Sequence, residues 1–380
     1  MKSSIIILLF LFVITGGGCV TDSTKENMAD ESGLPKTFHI PLRSKISCPL
    51  DSIFEAYEYV MLETPADKGL IGDRIRRILI YGDCFYLGDM KRINIFTKQG
   101  KFLRVIDHIG NGPGSYLGLV AFTIWPNGDV SILCRRTGSL YTYSKEDVFL
   151  KKTGGLSDLN PVDITCLDDS LLIVRSLEKH VQQKIHILNK NSGEVLRSYF
   201  PTAYLPLTYF MNFCFPRYEG KILLNQYQDN NIYELTPDSA ILRYTIDAGG
   251  KNVPAGYWER QDIPWEHLVL EARQKDYISH IPFFIEGDRT IFLRFQGDEK
   301  NRYNSYALID KQSSTSRLIR NLRFDDLIWE PEVAFPLEDG WMIIPIPAYV
   351  VFDKGATGFM KRFPGLHEES NPILCVAKIR

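Results

Sequence analysis

The chain has 380 residues, of which 44% are hydrophobic and 24% charged, so it carries enough apolar material for a large buried core and is not a disordered chain. Its 44 basic and 46 acidic residues give a formal net charge of −2, and this balance points away from a nucleic-acid partner. Aromatic residues make up 12%, and 28 glycines and 20 prolines interrupt the sequence, a combination typical of strands joined by turns.

Residues 1–18 have the pattern of an export signal. Lys2 supplies a positive charge, and the apolar run Ile5–Ile14 is too short for a bilayer span, which needs roughly 20 residues. Cys19 follows three glycines, and a small residue before Cys resembles a bacterial lipobox, although Gly16 stands where most lipoboxes carry an aliphatic residue. We expect cleavage before Cys19 and lipidation of its thiol; a plain secretory signal that contains a Cys is the alternative.

Residues 19–36 form the expected tether between this anchor and a folded body. The segment is polar and contains no aromatic residue, so it cannot bury enough surface to fold by itself. Asp22 resembles the acidic export signals of Bacteroidetes surface lipoproteins. The sequence therefore predicts a cell-envelope protein attached to the outer membrane through its lipid, on the periplasmic or the outer side.

From residue 75 onward, short strand-like runs recur with turns between them. The clearest unit, Ile75–Asp107, contains four such runs, which is one propeller blade. Equivalent turns fall near Gly82, Gly128, Asp169, Gly220, Gly287 and Gly340. The usual interval is about 40 to 50 residues, the period of a propeller.

The sixth unit lacks a strand at its C-terminal end. The strand-like run Tyr57–Glu63 has no unit of its own, so we expect it to complete the last blade and close the ring. A pair of sheets packed as a β-sandwich is the structural alternative. The longest interval holds an insertion in which Trp265, Leu268 and Ala272 share one helical face, which predicts a short helix packed on the propeller.

Three segments carry a family resemblance. Residues 88–102 resemble an NHL-type blade, and the loop Ile109–Tyr116 resembles the GxGPGEY loop of six-bladed propeller lipoproteins of Bacteroides and relatives, with Ser115 in place of Glu. The C-terminal run Asn371–Ile379 resembles the last strand of that family. The resemblance implies an all-β, six-bladed propeller over residues 37–380, with four-stranded antiparallel blades.

Catalytic and metal-binding motifs are scarce. None of the seven histidines forms an H-E-x-x-H motif, and no G-x-S-x-G elbow is present. The cysteines form no C-x-x-C pair, and their spacing assigns no disulfide. The glycine loop at 110–114 is followed by a strand-like run rather than a helix, so we interpret it as a connection between blades and not as a phosphate loop. We assign no catalytic residue, metal ligand or cofactor.

Aromatic residues near arginines are the candidate ligand contacts, because aromatic faces stack on sugar rings and form protein hot spots. They are Tyr209, Arg217, Tyr257, Trp258 and Trp265. The sequence favours a non-catalytic lipoprotein that binds a glycan, a peptide or an envelope protein. A metal-dependent lyase or lactonase is the alternative, because enzymes of NHL-like propellers take their metal ligands from inner strands of different blades. Convergent His, Asp or Glu in the channel would favour the enzyme, and Arg, Tyr and backbone groups would favour binding.

Overall fold

The structure, a computed structural model, describes residues 35–41, 46–65, 69–72, 74–176, 181, 183–201, 215–226, 229–260, 262–275, 277–278, 280–296, 305–331 and 333–380. Strands dominate these residues. None of the helices found there is long and apolar enough to cross a membrane. The predicted lipidation site Cys19 and the predicted ligand contact Tyr209 lie outside the described residues.

The first three strands form an N-terminal strap: β1 (Lys36–His39), β2 (Ile46–Pro49) and β3 (Phe54–Met61). Three antiparallel four-stranded sheets follow. Blade 1 contains β4 (Arg77–Tyr81), β5 (Cys84–Gly88), β6 (Ile93–Thr97) and β7 (Phe102–Ile106). Blade 2 contains β8 (Ala121–Ile124), β9 (Val130–Cys134), β10 (Ser139–Tyr143) and β11 (Phe149–Thr153). Blade 3 contains β12 (Pro161–Cys166), β13 (Leu171–Ser176), β14 (Gln183–Asn189) and β15 (Val195–Pro201).

Three more sheets complete the set. Blade 4 contains β16 (Arg217–Tyr218), β17 (Lys221–Asn225), β18 (Asn231–Leu235) and β19 (Ala240–Asp247). Blade 5 contains β20 (His280–Glu286), β21 (Thr290–Gln296), β22 (Ser305–Asp310), β23 (Ser316–Phe324) and β24 (Leu327–Trp329). Blade 6 contains β25 (Phe335–Pro336), β26 (Trp341–Ile346), β27 (Ile373–Ile379) and, as its outer strand, β3.

Apolar side chains fill the spaces between consecutive sheets. Representative pairs are Ile78 with Val376 between blades 1 and 6, Ile95 with Phe122 between blades 1 and 2, Leu172 with Leu140 between blades 3 and 2, Ile173 with Ile222 between blades 3 and 4, and Phe292 with Met342 between blades 5 and 6. These clusters join five of the six pairs of neighbouring blades, and polar contacts join the sixth pair, blades 4 and 5, so the sheets form a closed ring. The six-bladed propeller is confirmed, and the β-sandwich alternative is wrong.

Blades 4 and 5 are joined by charged groups. The carboxylate of Glu286 is 1% exposed. It accepts hydrogen bonds from Arg243 Nε (3.0 Å) and Nη2 (2.9 Å), from Lys311 Nζ (3.0 Å) and from the hydroxyl of Tyr244 (2.7 Å). Two cations and a hydroxyl compensate the desolvation of this carboxylate, so the pairing of these blades depends on a buried ionic cluster.

The N-terminal strap explains how the ring closes. Strand β3 pairs with β27, with Tyr59 opposite Cys375, so the prediction that the run at 57–63 completes the last blade is confirmed. The sequence did not predict the other two strands of the strap. β1 adds in parallel to β19 and β2 adds in parallel to β23, so the strap covers the outer edges of blades 4 and 5 as well.

The long insertions share one face of the ring. Strands alternate in direction within each blade, so first strands begin, and second strands end, at the same face. We call this the insertion face, because it carries the connection 248–279 and the connection 347–372. The first contains α1 (Trp265–Gln274), which confirms the predicted helix. The second contains α2 (Ala348–Asp353) and α3 (Thr357–Met360), which the sequence did not predict.

The glycine loop and the cysteines are structural features. The loop connects β7 to β8, and of its three glycines only Gly114 has a positive φ, +75°. A Cβ built on Gly114 would lie 2.7 Å from Cγ of Phe149, so close packing also requires glycine there. The five described cysteines form no disulfide with one another, and Cys48, Cys134 and Cys375 are buried.

Candidate functional site

Arg77 bridges the inner strands near the insertion face. It is the first residue of β4 and is 8% exposed. Its guanidinium donates to the carbonyl of Phe122 on β8 (2.8 Å), to the carbonyl of Ile164 on β12 and to the carboxylate of Asp163. One planar donor group thus connects blades 1, 2 and 3 at the wall of the channel.

Arg217 performs a similar role near the opposite face. Its backbone pairs with the inner segment of blade 6, where the amide of Asp339 donates to the carbonyl of Arg217 (3.0 Å). Its guanidinium donates to the carbonyl of Cys166 at the end of β12. Arg217 therefore joins blades 3, 4 and 6, close to the tight turns of the channel's far end. This position separates it from the other predicted ligand contacts.

Those other contacts fall on the 248–279 insertion. Tyr257 is 7% exposed, and its hydroxyl donates to the carbonyl of Leu268 in α1 (2.9 Å). Its ring meets Trp258 and Tyr277 edge to face, with centroids 4.9 Å and 5.7 Å apart. Tyr257 therefore lies in the small core of the insertion, and half-buried Trp258 lies at its border. Trp265 begins α1, but its side chain is not among those that the structure describes.

A second polar centre lies where blades 3 and 4 meet at the insertion face. Asp163 on β12 and Arg175 on β13 are cross-strand partners, and both side chains are buried. Arg175 lies over the ring of Phe215 at 4.9 Å, and its Nη2 is 3.5 Å from the carbonyl oxygen of Asn225, the last residue of β17. We call this group, together with Gln183 and Gln226 at the adjoining strand ends, the polar mouth.

Opposing influences act on the protonation of the Asp163 carboxyl in the polar mouth. Asp163 Oδ1 binds the guanidinium of Arg77 and also accepts from the amide of Ile164 (2.8 Å). Burial raises the pKa of the Asp163 carboxyl, while the charges of Arg77 and Arg175 and that amide act in the opposite direction. The two cations thus favour the ionised form of a group that burial alone would keep protonated.

Sequence reasoning assigned no role to Asp163. The available signal was one charged residue in each of two consecutive strands that are otherwise mostly apolar or β-branched, Asp163 in β12 and Arg175 in β13. Among the residues that the structure describes, no group of three or more His, Cys, Asp or Glu side chains is placed to hold a metal ion. Among the described residues, the groups that bridge the inner strands include the guanidinium groups of Arg77 and Arg217, the carboxylate of Asp163 and backbone carbonyls.

Two solved structures from Bacteroides have a similar fold. One is a candidate exported protein from Bacteroides fragilis, with 16% identity, a TM-score of 0.73, and coverage of 91% of this chain and 100% of that chain. The other is a member of the DUF4221 family from Bacteroides vulgatus, with 9% identity, a TM-score of 0.52, and coverage of 86% and 97%. At these identities the likeness establishes the fold alone.

A more distant likeness and a family model complete the comparison. A virginiamycin B lyase from Staphylococcus aureus is 9% identical over 85% of this chain and 99% of its own, but its TM-score of 0.42 is too low to transfer an activity. No curated protein matches the sequence. A family model described as a domain of unknown function, DUF4934, matches residues 37–378, and the chain therefore belongs to the DUF4934 family.

Proposed function

We propose that this chain is an exported, lipid-anchored propeller of the cell envelope that recognises a partner without catalysing a reaction on it. The single observation that carries the non-catalytic part is the position of Arg77. Its guanidinium donates hydrogen bonds to two backbone carbonyls and to Asp163 at the channel wall. A metal-dependent propeller enzyme needs convergent metal-ligating side chains at that wall. These contacts hold Arg77 within the ring, so we place recognition at the insertion face beside them and not at a metal in the channel.

The envelope part of the proposal rests on other observations. The apolar run Ile5–Ile14 before Cys19 is a reason to expect export and lipidation. The similar Bacteroides fragilis structure, from a candidate exported protein, agrees with export. The resemblance of the loop Ile109–Tyr116 to that of six-bladed propeller lipoproteins of Bacteroides supports the same placement.

Localisation and catalysis are tested on the full chain. Expressed in a Bacteroides host, the wild type should incorporate labelled palmitate and sediment with membranes. Cys19→Ser should abolish both, while Cys84→Ser, at a half-buried position at the start of β5, should change neither. A Cys19→Ser protein that is still acylated and membrane-bound refutes the anchor.

The purified chain should contain far less than one equivalent of any transition metal or Ca²⁺ and should not turn over lactones or act as a lyase on polysaccharides. Stoichiometric metal together with a turnover that a chelator stops would establish the enzyme instead.

A further inference from the structure

The polar mouth contains buried polar atoms that the fold itself does not use. Within the part of the chain that the structure describes, Asp163 Oδ2, Gln183 Oε1 and Gln226 Nε2 have no hydrogen-bond partner. Asp163 is 3% exposed and Gln226 is 5% exposed. Leaving such atoms unpaired is costly, and most buried polar groups in native proteins are satisfied.

These atoms belong to one place. Arg175 faces blade 4, as does Gln183, which lies on the neighbouring strand β14 on the same side as Ile185, the cross-strand partner of Arg175. Gln226 directly follows Asn225, whose carbonyl lies 3.5 Å from Nη2 of Arg175. Asp163 is paired in register with Arg175. The unused atoms therefore surround the seam between blades 3 and 4 at the insertion face.

Their chemistry limits the ligand. Two are acceptors, an Asp carboxylate oxygen and a Gln carbonyl oxygen, and one is an amide donor. A partner must donate to the first two and accept from the third, and a sugar hydroxyl does both. The carboxylate is already compensated by Arg77 and Arg175, so the mouth offers no excess negative charge to a cation.

We propose that the polar mouth is a subsite for a neutral, polyhydroxylated ligand, a sugar residue of a glycan. This inference rests on the proposed recognition function and gives it a ligand class and a place. Gln226 accordingly contacts ligand through Nε2, and Asp163 Oδ2 accepts from a sugar hydroxyl while Oδ1 stays with Arg77.

The test uses the purified full chain and a printed array of neutral and acidic glycans, followed by calorimetric titration with the best neutral oligosaccharide. Gln226→Met keeps the length of the side chain and removes the amide. Its matched control is Gln274→Met, at the exposed end of α1. Asp163 is left intact, because its replacement would also release Arg77 and disturb the fold.

The wild type and Gln274→Met should bind the same neutral glycans. Gln226→Met should lose at least tenfold in affinity, while its melting temperature stays equal or rises by about 1–3 °C, since an unpaired buried amide is removed. The proposal is overturned if the wild type binds no neutral glycan or only acidic ones, or if Gln226→Met binds as tightly as the wild type. A fall of several degrees in the melting temperature of Gln226→Met also overturns it, because the amide then has its partner in the fold or in ordered water.

Failure of this subsite is distinguishable from failure of the proposed function. Metal content, turnover and acylation are measured without any glycan, so they stand whatever the array returns.

Discussion

His186 provides a quantitative test of the packing between blades 2 and 3. It lies on β14 between Ile185 and Ile187, which belong to the cluster shared with blade 4, so the alternation of side chains places its ring on the side of blade 2. The ring is 3% exposed, and its Nδ1 lies 2.8 Å from Oγ of Ser198. Burial lowers the pKa of His186 from 6.5 to about 4, and the positive charge of Lys184 adds to this shift.

The sign follows from proton binding. Between pH 6.5 and 4 the unfolded chain protonates this histidine and the folded chain does not, so the free energy of unfolding falls as the pH is lowered. A difference of about 2.5 pKa units corresponds to roughly 3 kcal/mol at pH 4 and about 2 kcal/mol at pH 5. His186→Asn should remove this contribution, because the variant has no group that titrates there.

Urea unfolding of the full chain, followed by tryptophan fluorescence between pH 7 and pH 5, measures the effect above the range of ordinary carboxylates. From pH 7 to pH 5 the wild type should lose about 2 kcal/mol more than His186→Asn. The exposed His267 of α1 supplies the control, and His267→Asn should keep the wild-type slope. Equal losses in the wild type and His186→Asn would show that the ring is protonated in the folded state and that the packing argument is wrong.

Three further substitutions test contacts that hold the propeller together, each by urea unfolding at pH 7. Glu286→Gln should lower the free energy of unfolding by about 3–5 kcal/mol, because it removes the buried carboxylate charge that pairs with buried Lys311 and with half-buried Arg243 between blades 4 and 5; a change below 1 kcal/mol would contradict that role. Gly100→Ala should lower the free energy of unfolding by well over the roughly 1 kcal/mol that we expect for Gly82→Ala. Both glycines have positive φ, but only at Gly100 would a Cβ meet a backbone oxygen, that of Met61, at 2.1 Å. Equal losses would refute the steric argument. Phe38→Ala should cost about 3–5 kcal/mol, because this ring of β1 is fully buried beside blade 4; an unchanged midpoint would show that the strap contributes nothing to stability.

The propeller was predictable from the sequence because the strands of a blade follow one another in the chain. Four short strands joined by tight turns form a blade within about 40 residues. The turn between the first two strands, at Gly128 in blade 2 and at Gly340 in blade 6, has its counterpart in every other blade. The strap was not predictable in the same way. β1 and β2 have four residues each, KTFH and ISCP, and they pair in parallel with strands about 200 and 270 residues away, which no local pattern records. Helix α2 was missed because Val350 and Val351 are β-branched and favour a strand.

The candidate site was less predictable, for two physical reasons. An insertion of about 30 residues that projects from the ring must bury a core of its own, and its aromatic residues supply that core, so Tyr257 is inside rather than presented to a ligand. The polar mouth, in contrast, consists of single charged or amide side chains in or beside strands of two blades, and in the sequence such isolated polar residues look ordinary. Asp163 and Arg77 are 86 residues apart and meet only because the inner strands converge on one axis.

Buried polar groups have different surroundings in different parts of the propeller. Between most blades the described contacts are apolar, and these set stability without specifying a ligand. The buried cluster at Glu286 is polar but satisfied, with every cation on the carboxylate, and a satisfied cluster fixes the pairing of two blades. The polar mouth is also buried, yet Asp163 and Gln226 each keep one atom that the described residues leave unpaired. Asn94 on β6 is also buried with both amide atoms unpaired within the described residues, so it is the grouping of such atoms from two blades at the insertion face that supports a partner completing their hydrogen bonds.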